Sequence, residues 1–556
     1  MLRKSFKEPK RIALFLCALS CLVGAGYLRA EPGTTHEVTA NFVDFTVFPA
    51  GSASSEAAVD ILRRASSALG TVPATMDDVN RWSENLTNAL RMGGFPVSQV
   101  LVTEEDWRAA RNGKPLVFTA FPGRIHEIQI ENKTRVKDAR LHRLIVKALC
   151  DDSSLSGVCL LQTTRLERAT QLLQDTPGVA IAKAPQFASG GSTGDINVRF
   201  YLEQQGKPVS GDVFVDNKGV QSTGLYRLGV TAAGNNFFGL GESYALTLTG
   251  TEKKMWTGSL TGSVPILDDG LRLTGGVTRQ QYSINAVAQV VGVANTAQLG
   301  LLYPVTRGLD SNVWLGASYL YSRTKNDYKG FYAAHSTLDA LRFSLQANNG
   351  DRAQQLRTNI WSGEAAVTLG RQRNDTPLLN AATQVAGHYA KFTASGFGTY
   401  GLNRSGDLFL TGRINAQAAS KNLDPSEKLG VGGPTAVRAY RADEGSFDDG
   451  VVLNTGIYKR IPVAAGHQIQ VGAFSDFAIG QVNHNPWFRW ETSYIGIPGI
   501  SNRRILSGYG IGIDWLTPIG ATLSASVSKA FGFSSTSWVD PGKKPVQYWL
   551  SVTWSK

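Results

Sequence analysis

Apolar and polar residues alternate along many short segments of the chain beyond about Pro208. Residues 521–528 show this plainly, with Ala, Leu, Ala and Val on one face and only Thr or Ser on the other. Residues 509–515 and 546–554 repeat the period of two, and Gly, Asn, Asp and Ser separate the segments. The pattern predicts β-strands with one apolar face. A soluble sandwich gives the same alternation, so the period alone leaves the fold class open.

The preceding part of the chain, residues 41–205, contains one pattern twice: a strand, two helices and two strands. Apolar residues at helical spacing predict helices over 55–69 and 76–92 in the first copy, and over 137–149 and 163–174 in the second. Each copy is therefore expected to be a small α+β unit whose helices cover one face of a sheet. The strands are expected at 42–48, 97–102 and 116–121, and at 124–130, 179–184 and 195–202.

Three features favour a membrane barrel for the alternating region. Residues 1–30 resemble an export signal, because five basic residues precede the apolar run 12–26 and small Ala30 offers a cleavage point. The small polar face of the strands suits a wet lumen better than a close-packed core. The 349 residues from Pro208 onward leave about 22 for each of roughly 16 strands, enough to span a membrane and turn. We therefore predict a membrane all-β barrel of 16 antiparallel strands, which satisfies every backbone group in lipid.

Charge and composition exclude several other classes of protein. The net charge of the chain is +12, but residues 1–30 carry five of these charges, so the remainder has only +7. Such a small excess argues against a nucleic-acid partner. Four cysteines in 556 residues exclude a disulfide-dense scaffold. No stretch after the export signal offers 18 uninterrupted apolar residues, so a helical membrane protein is also excluded.

Several strings of residues resemble motifs of one transporter family. Residues 432–440 (GGPTAVRAY) and 474–480 (FSDFAIG) resemble the paired loop and strand motifs of the two-partner secretion transporters, the haemolysin activation/secretion family. Residues 216–219 resemble the family's first barrel hairpin, and residues 93–95 and 122–125 resemble turns of its POTRA domains. The resemblance implies a signal peptide (1–30), two periplasmic POTRA domains (40–122 and 123–205), and an outer-membrane barrel of a Gram-negative bacterium (206–556).

The same resemblance implies that a long loop, residues 421–450, folds into the barrel. The loop has 30 residues without sustained alternation, and connections of that length are commonly functional. Composition alone favours an ordinary exposed loop with a solvated arginine, whereas the paired motifs favour inward folding. The resemblance assigns the loop tip to Val437, Arg438, Ala439 and Tyr440, the partner strand to Phe474, Asp476 and Gly480, and the first hairpin to Asp216, Asn217 and Gly219.

Alternation on the partner strand predicts which of its residues face the lumen. If Ile469, Val471 and Ala473 face lipid, then Phe474 and Asp476 point inward. Arg438 can then approach Asp476, and an arginine fork that binds a carboxylate fixes the geometry of both partners. We therefore expect this pair to hold the loop inside the barrel.

Two cysteines and two glycine-rich strings have simpler interpretations. Cys150 and Cys159 enclose eight residues, and an oxidising periplasm favours a disulfide between them. Zinc is not expected, because paired close cysteines are missing and His142 has too few companions, and no other cofactor is predicted. Residues 190–194 match G-x-S-x-G, and residues 396–401 match a dinucleotide fingerprint, but neither has the required strand-to-helix context. Neither string supports an enzyme.

These observations together predict a pore that secretes one large, unfolded partner protein across the outer membrane without ATP. By resemblance, the partner is a haemolysin or adhesin with an N-terminal secretion domain, and the barrel contacts outer-membrane lipid. The POTRA sheets are expected to capture it by adding an extended strand at an exposed edge. Two alternatives remain at this point: a passive solute porin, and a factor that assembles other barrels.

Overall fold

The computed structural model describes residues 43–150, 155, 158–285, 289–328, 332–350, 352–353, 359–375, 383–491, 500–532, 537–539 and 545–556. The expected signal peptide (1–30) and the first residue of the expected first strand, Phe42, lie outside these ranges. Within the described ranges, every helix is too short or too polar to cross a bilayer.

The first α+β unit packs its helices against one face of a three-stranded sheet. Strand β1 runs parallel to β3, and β2 pairs with the other side of β3 in antiparallel fashion. Leu62 and Leu86 from the helices are buried with Leu116 and Phe118 of the sheet. The elements are β1 (Val43–Val47), α1 (Ala53–Ser66), α2 (Met76–Met92), β2 (Gln99–Leu101), α3 (Glu104–Arg111) and β3 (Leu116–Phe121).

Helix α3 is not predicted by the apolar pattern of the sequence. It has only 8 residues, and Ala110 is its buried residue. Its start is fixed locally, because the Thr103 hydroxyl accepts a hydrogen bond from the Asp106 amide at 3.1 Å and donates one to the Asp106 carboxylate. The helix therefore depends on capping rather than on an apolar stripe.

The second α+β unit repeats this arrangement, with strand order β4-β6-β5. Strand β5 is longer than predicted, because it continues through two irregularities in its pairing with β6 that interrupt the alternation. The two candidate cysteines, Cys150 and Cys159, form a disulfide between the two helices of this unit. The elements are β4 (Arg124–Lys133), α4 (Asp138–Leu149), α5 (Thr163–Gln174), β5 (Val179–Ser189) and β6 (Asp195–Gln204).

A bidentate ion pair within this sheet predicts a specific response to acid. Arg124 donates to both carboxylate oxygens of Asp195 at 2.7 Å, and these hydrogen bonds lower the pKa of Asp195. Because the folded pKa lies below the unfolded one, the pair stabilises the unit above about pH 3.9 and is lost as the pH falls through the folded pKa. We expect pepsin to cleave the α+β units of the full chain increasingly fast as the pH falls through this window, and Asp195→Asn to flatten that dependence. An identical pH profile in the variant would contradict this role for the pair.

The rest of the described chain forms a closed barrel of 16 antiparallel strands, which confirms the predicted fold class. Its first strand, β7, pairs with its last, β24, and closes the barrel. The strands are β7 (Val209–Asp216), β8 (Arg227–Asn235), β9 (Ser243–Thr251), β10 (Trp256–Pro265), β11 (Arg272–Asn285), β12 (Gln289–Arg307), β13 (Asn312–Tyr328), β14 (Tyr332–Asn348), β15 (Trp361–Asn374), β16 (Gly387–Gly401), β17 (Leu408–Ala419), β20 (Asp449–Pro462), β21 (Gln468–Gln481), β22 (Arg503–Leu516), β23 (Ala521–Ala530) and β24 (Val546–Ser555). Two short strands, β18 (Leu429–Gly430) and β19 (Ser446–Phe447), pair within the connection between β17 and β20.

The outer surface of the barrel carries the apolar face that the alternation predicts. On β22, Tyr509, Ile511, Ile513 and Trp515 point outward, and Ile511 is 62% exposed. This outer face is what a strand needs in contact with hydrocarbon. The glycine-rich string at 396–401 is part of strand β16, and the string at 190–194 lies in the turn between β5 and β6. Neither adopts the strand-to-helix turn of the motif that it matches.

The second α+β unit is attached to one rim of the barrel. Arg140 forms an ion pair with Asp268 in the turn after β10, and Arg307 at the end of β12 binds both oxygens of Asp175 at 2.5 and 2.6 Å. Arg168 donates to the carbonyl of Pro304 at 3.0 Å. We call this end the near rim. The connection between β17 and β20 starts at the opposite, far rim, because successive antiparallel strands alternate in direction.

Candidate functional site

The connection between β17 and β20, residues 420–448, folds into the barrel instead of extending away from it; we call it the inward loop. Most of its apolar residues are buried, and they pack on inner-face residues of the strands such as Val452, Ala478 and Leu506. The buried residues of the loop include Val431, Val437, Ala439, Tyr440 and Phe447. The loop therefore has its own contact surface with the barrel wall and occupies part of the lumen.

Arg438, at the tip of the inward loop, binds Asp476 on strand β21. The guanidinium donates to both carboxylate oxygens, from Nε at 2.8 Å and from Nη2 at 2.6 Å. The Arg438 backbone amide adds a third bond at 2.9 Å, and Asn454 Nδ2 adds a fourth at 2.8 Å. Asp476 is only 1% exposed. A buried carboxylate that accepts four hydrogen bonds, two from an arginine fork, holds its partner in one orientation.

Further contacts fix Arg438 on both sides. The guanidinium lies over the ring of Phe474, with Cζ 3.4 Å from the ring centroid, and Nη1 donates to the Tyr458 hydroxyl at 3.4 Å. The Arg438 carbonyl accepts hydrogen bonds from Ser528 Oγ at 2.6 Å and from Trp549 Nε1 at 2.7 Å. Arg438 thus joins strands β20, β21, β23 and β24 through a single residue.

Glycines on the wall make room for the loop. A Cβ at Gly508 would lie 2.5 Å from the Cβ of Ala439, and a Cβ at Gly480 would lie 2.4 Å from the ring of Phe447. Real Cβ atoms do not approach so closely, so a larger residue at either glycine would push the loop away. Gly480 of the partner motif therefore acts by its small size, whereas Phe474 and Asp476 act through direct contact with Arg438.

A second buried ion pair fastens the inward loop, and the sequence analysis does not predict it. Arg504 on β22 pairs with Glu444, whose carboxylate also accepts hydrogen bonds from Ser537 Oγ at 2.6 Å and from the Trp538 amide at 2.7 Å. The Arg504 guanidinium stacks on the Trp538 ring with Cζ 4.0 Å from the centroid. An arginine in the inward row that continues with Leu506, Gly508 and Gly510 is the signal that could have indicated this contact.

Lysines complete the attachment at the base of the loop. Lys391 on β16 lies 2.7 Å from the Glu427 carboxylate, which also accepts a hydrogen bond from the Tyr389 hydroxyl at 3.0 Å. Lys428 pairs with Asp448 at 3.2 Å. The loop is therefore held by polar contacts along its whole length, and such contacts can break and re-form without rupture of a covalent bond.

The first-hairpin motif lies at the seam where the barrel closes. Asp216 accepts two hydrogen bonds from Arg227 at 2.8 Å. Asn217 bridges to the last strand, because its side chain donates to the Tyr548 carbonyl and accepts from the Leu550 amide, both at 2.8 Å. A Cβ at Gly219 would lie 2.1 Å from the carbonyl oxygen of Gly224, so the turn requires glycine there. The motif continues the pairing of β7 with β24 by side-chain contacts.

Asn217→Ala should weaken this seam. The variant loses two hydrogen bonds across the closure, each contributing about 1 kcal/mol. We expect the temperature at which the folded barrel unfolds in sodium dodecyl sulfate, read from its gel mobility, to fall. Asn403→Ala is the matched control, because Asn403 bonds to Asp407 within its own turn. Equal melting temperatures for Asn217→Ala and the wild type would show that the side chain does not support closure.

The chain resembles one protein family over more than half of its length. Residues 194–495 match the sequence profile of the Haemolysin secretion/activation protein family ShlB/FhaC/HecB. The matched range includes strands β7 to β21, the whole inward loop, and both Arg438 and Asp476.

Individual relatives agree with that match. The heme/hemopexin transporter protein HuxB of Haemophilus influenzae is 22% identical over 492 residues, which cover 86% of this chain and 81% of HuxB. Among solved structures, CdiB from Acinetobacter baumannii superposes with a TM-score of 0.68 at 16% identity, over 98% of this chain and 97% of that one. CdiB from Escherichia coli gives 0.67 at 15% identity over 100% of both chains. Because the sequence identities are only 15% and 16%, these two structures support the fold of the chain and nothing further.

Proposed function

The chain belongs to the haemolysin secretion/activation family, the two-partner secretion transporters of the Gram-negative outer membrane, and on that premise we propose that its cargo is one large, unfolded protein of the haemolysin or adhesin type. The cargo enters from the periplasm with an N-terminal secretion domain and leaves at the cell surface. The barrel wall contacts lipid, and the two α+β units act as POTRA domains in the periplasm.

The observation that carries this proposal is the attachment of the inward loop to the barrel wall by noncovalent contacts alone. The loop is held in the lumen by ion pairs to the wall, of which Arg438 with Asp476 is the most completely bonded. A pore for small solutes needs no loop that can detach, whereas a polypeptide several ångströms wide needs the space that the loop occupies. Secretion therefore requires the loop to shift or the cargo to pass beside it.

Capture of the cargo is assigned to the open edges of both α+β sheets, and in the first unit the order β1-β3-β2 leaves β1 and β2 each with one side unpaired in the described chain. The strand order β4-β6-β5 leaves one side of β5 without a neighbouring strand in the described chain. Most residues of β5 are exposed, and Phe187 is 40% exposed beside that edge. An extended segment of cargo can add to such an edge through backbone hydrogen bonds, with apolar side chains packing alongside.

Folding of the cargo outside the cell supplies the driving force in this proposal. Because the sequence contains no phosphate-binding loop with its lysine, the proposal does not invoke ATP. Conversion of the emerging polypeptide to its folded form removes the unfolded form from the equilibrium and prevents its return.

Two alternative functions fit the structure less well. A passive porin has no use for two α+β units, the second of which is fixed to the near rim through Arg140 and Arg307. A barrel-assembly factor shares the architecture, but such proteins typically carry more than two POTRA copies. The sheet order here gives two three-stranded units before the barrel in the described chain.

Deletion of the gene tests the proposal. We expect one large protein to disappear from the culture medium and to return when the wild-type gene is restored, with the other outer-membrane barrels at normal levels. An unchanged set of extracellular proteins would contradict secretion. A general loss of other barrels would favour the assembly factor.

A further inference from the structure

A row of rings and guanidinium groups lines the lumen between the near rim and the tip of the inward loop. We call it the arginine–aromatic track. It consists of Phe397, Phe409, Arg413, Tyr458 and Arg460 on strands β16, β17 and β20. It shares one residue with the contacts described above, since Tyr458 also accepts a hydrogen bond from Arg438.

Strand register places the track on the inner face of the barrel. Arg413 pairs directly with Phe397 on one side and with Asn454 on the other, and Asn454 in turn pairs with Asp476. Directly paired residues lie on the same face of a sheet. Since Asp476 binds the inward loop, Arg413 and Phe397 also face the lumen.

Strand pairing also places the residues nearer the rim on the inner face of the barrel. Phe409 pairs with Tyr458, and their rings stack with centroids 6.0 Å apart. Arg460 lies two residues beyond Tyr458 and therefore shares its face, with Cζ 4.3 Å from the Phe409 ring centroid. Strand β20 ends at Pro462, so Arg460 lies close to the opening on the side of the α+β units.

Neither arginine of the track has an ion-pair partner in the described chain. The nearest carboxylate to Arg413 along its register row is Asp476, two strands away, and it is already occupied by Arg438 and Asn454. In the row of Arg460, the Asp407 carboxylate on the β17 side already accepts hydrogen bonds from Asn403 and Ser405. On the other side Asp514 is two strands away and accepts a hydrogen bond from Gln470 at 3.2 Å.

Each arginine lies within cation–π distance of a ring and remains accessible. Arg413 is exposed to the lumen, with Cζ 5.7 Å from the centroid of Phe397, which is itself 38% exposed. A guanidinium stacked on a ring keeps its N–H edge free to bind a planar anion. Arg413 and Arg460 are on neighbouring strands and, since Arg413 pairs with Asn454, about 20 Å apart along the strand direction, a distance that six residues of an extended chain can span.

We propose that the arginine–aromatic track binds extended, carboxylate-bearing segments of the polypeptide as they enter the lumen. The positive charges of Arg413 and Arg460 complement Asp and Glu side chains, and the rings of Phe397 and Phe409 contact the intervening residues. The track thus leads acidic segments from the near rim to the tip of the inward loop. This inference rests on the proposed function, because it names a class of cargo sequence for the same pore.

A peptide-binding measurement tests the track. The probe is a fluorescein-labelled peptide of about 20 residues that repeats Gly-Asp-Ser-Asp, long enough to extend through the lumen. Its binding to the purified full chain in detergent is followed by fluorescence anisotropy at low salt, with the Gly-Asn-Ser-Asn peptide as the uncharged comparison. We expect tighter binding of the acidic peptide, and a loss of at least about tenfold in the double variant Arg413→Gln/Arg460→Gln.

The matched control removes the same charge from the outer face. Lys459 and Arg323 are exposed and lie on the opposite face of their strands from the lumen, so Lys459→Gln/Arg323→Gln should bind like the wild type. Heat-modifiable gel mobility verifies that both double variants are folded. Equal affinity in the two double variants, or equal binding of the two peptides by the wild type, would overturn the proposal.

Secretion by the same variants distinguishes this inference from the function on which it rests. We expect the track variant to secrete less of the partner than the outer-face variant at equal transporter level. Wild-type secretion by the track variant would overturn the track as part of the route while leaving the proposed function intact. Failure of the wild-type gene to restore any extracellular protein would instead refute the proposed function.

Discussion

Arg438→Ala and Asp476→Ala are each expected to impair secretion strongly while the barrel remains folded in the membrane. Removal of one partner leaves a buried charge without its complement, a change that costs about 3–5 kcal/mol in a protein interior and less beside water. The loop tip then loses its position between strands β20 and β24. Secreted partner is measured by immunoblot of the medium, and barrel folding by heat-modifiable gel mobility.

The double variant shows whether Arg438 and Asp476 act together or independently. We expect Arg438→Ala/Asp476→Ala to be little worse than either single variant, which gives a large coupling in a double-mutant cycle. Arg441→Ala is the matched control, because Arg441 belongs to the same loop but pairs with Asp443 only two residues away. Strictly additive losses would mean that the loop is held elsewhere, with Glu444 and Arg504 as the next candidates.

Deletion of the first α+β unit, residues 42–121, is expected to abolish secretion and to leave a barrel that conducts ions. The barrel strands satisfy their backbone groups among themselves, and the contacts at the near rim come from the second unit through Arg140, Arg168 and Arg307. Cargo recognition, in contrast, needs the periplasmic sheets. Single-channel currents in planar bilayers and partner protein in the medium are the two measurements. Normal secretion by the deletion variant would contradict capture by this unit.

The barrel and both α+β units could be predicted from the sequence because each strand or helix places apolar residues on one face and polar residues on the other, which produces a regular period along the chain. The outward set on β22, from Tyr509 to Trp515, follows directly from the period of two. Helix α3 could not be predicted in this way, since it buries little apolar surface and depends on the Thr103 cap. The capping signal Thr103-x-x-Asp106 marks its start in the sequence.

The contacts of the inward loop were only partly predictable. The family resemblance implied that Arg438 meets Asp476, and the alternation on β21 gave the inward direction of the carboxylate. The pair Glu444–Arg504 and the pair Lys391–Glu427 depend on how an irregular loop of 29 residues crosses five strands. No local period in the sequence encodes such a path, because each contact joins residues that are distant along the chain.

Reconstitution tests the central claim most directly. The purified full chain is placed in liposomes without any nucleotide, and the partner protein identified by gene deletion is added in unfolded form on the side of the α+β units. Translocation is measured as partner that becomes resistant to external protease and sensitive again after detergent. We predict protected partner with the wild-type chain and little with Arg438→Ala. Partner that stays fully accessible, in vesicles whose ion conductance shows inserted barrels, would contradict the account.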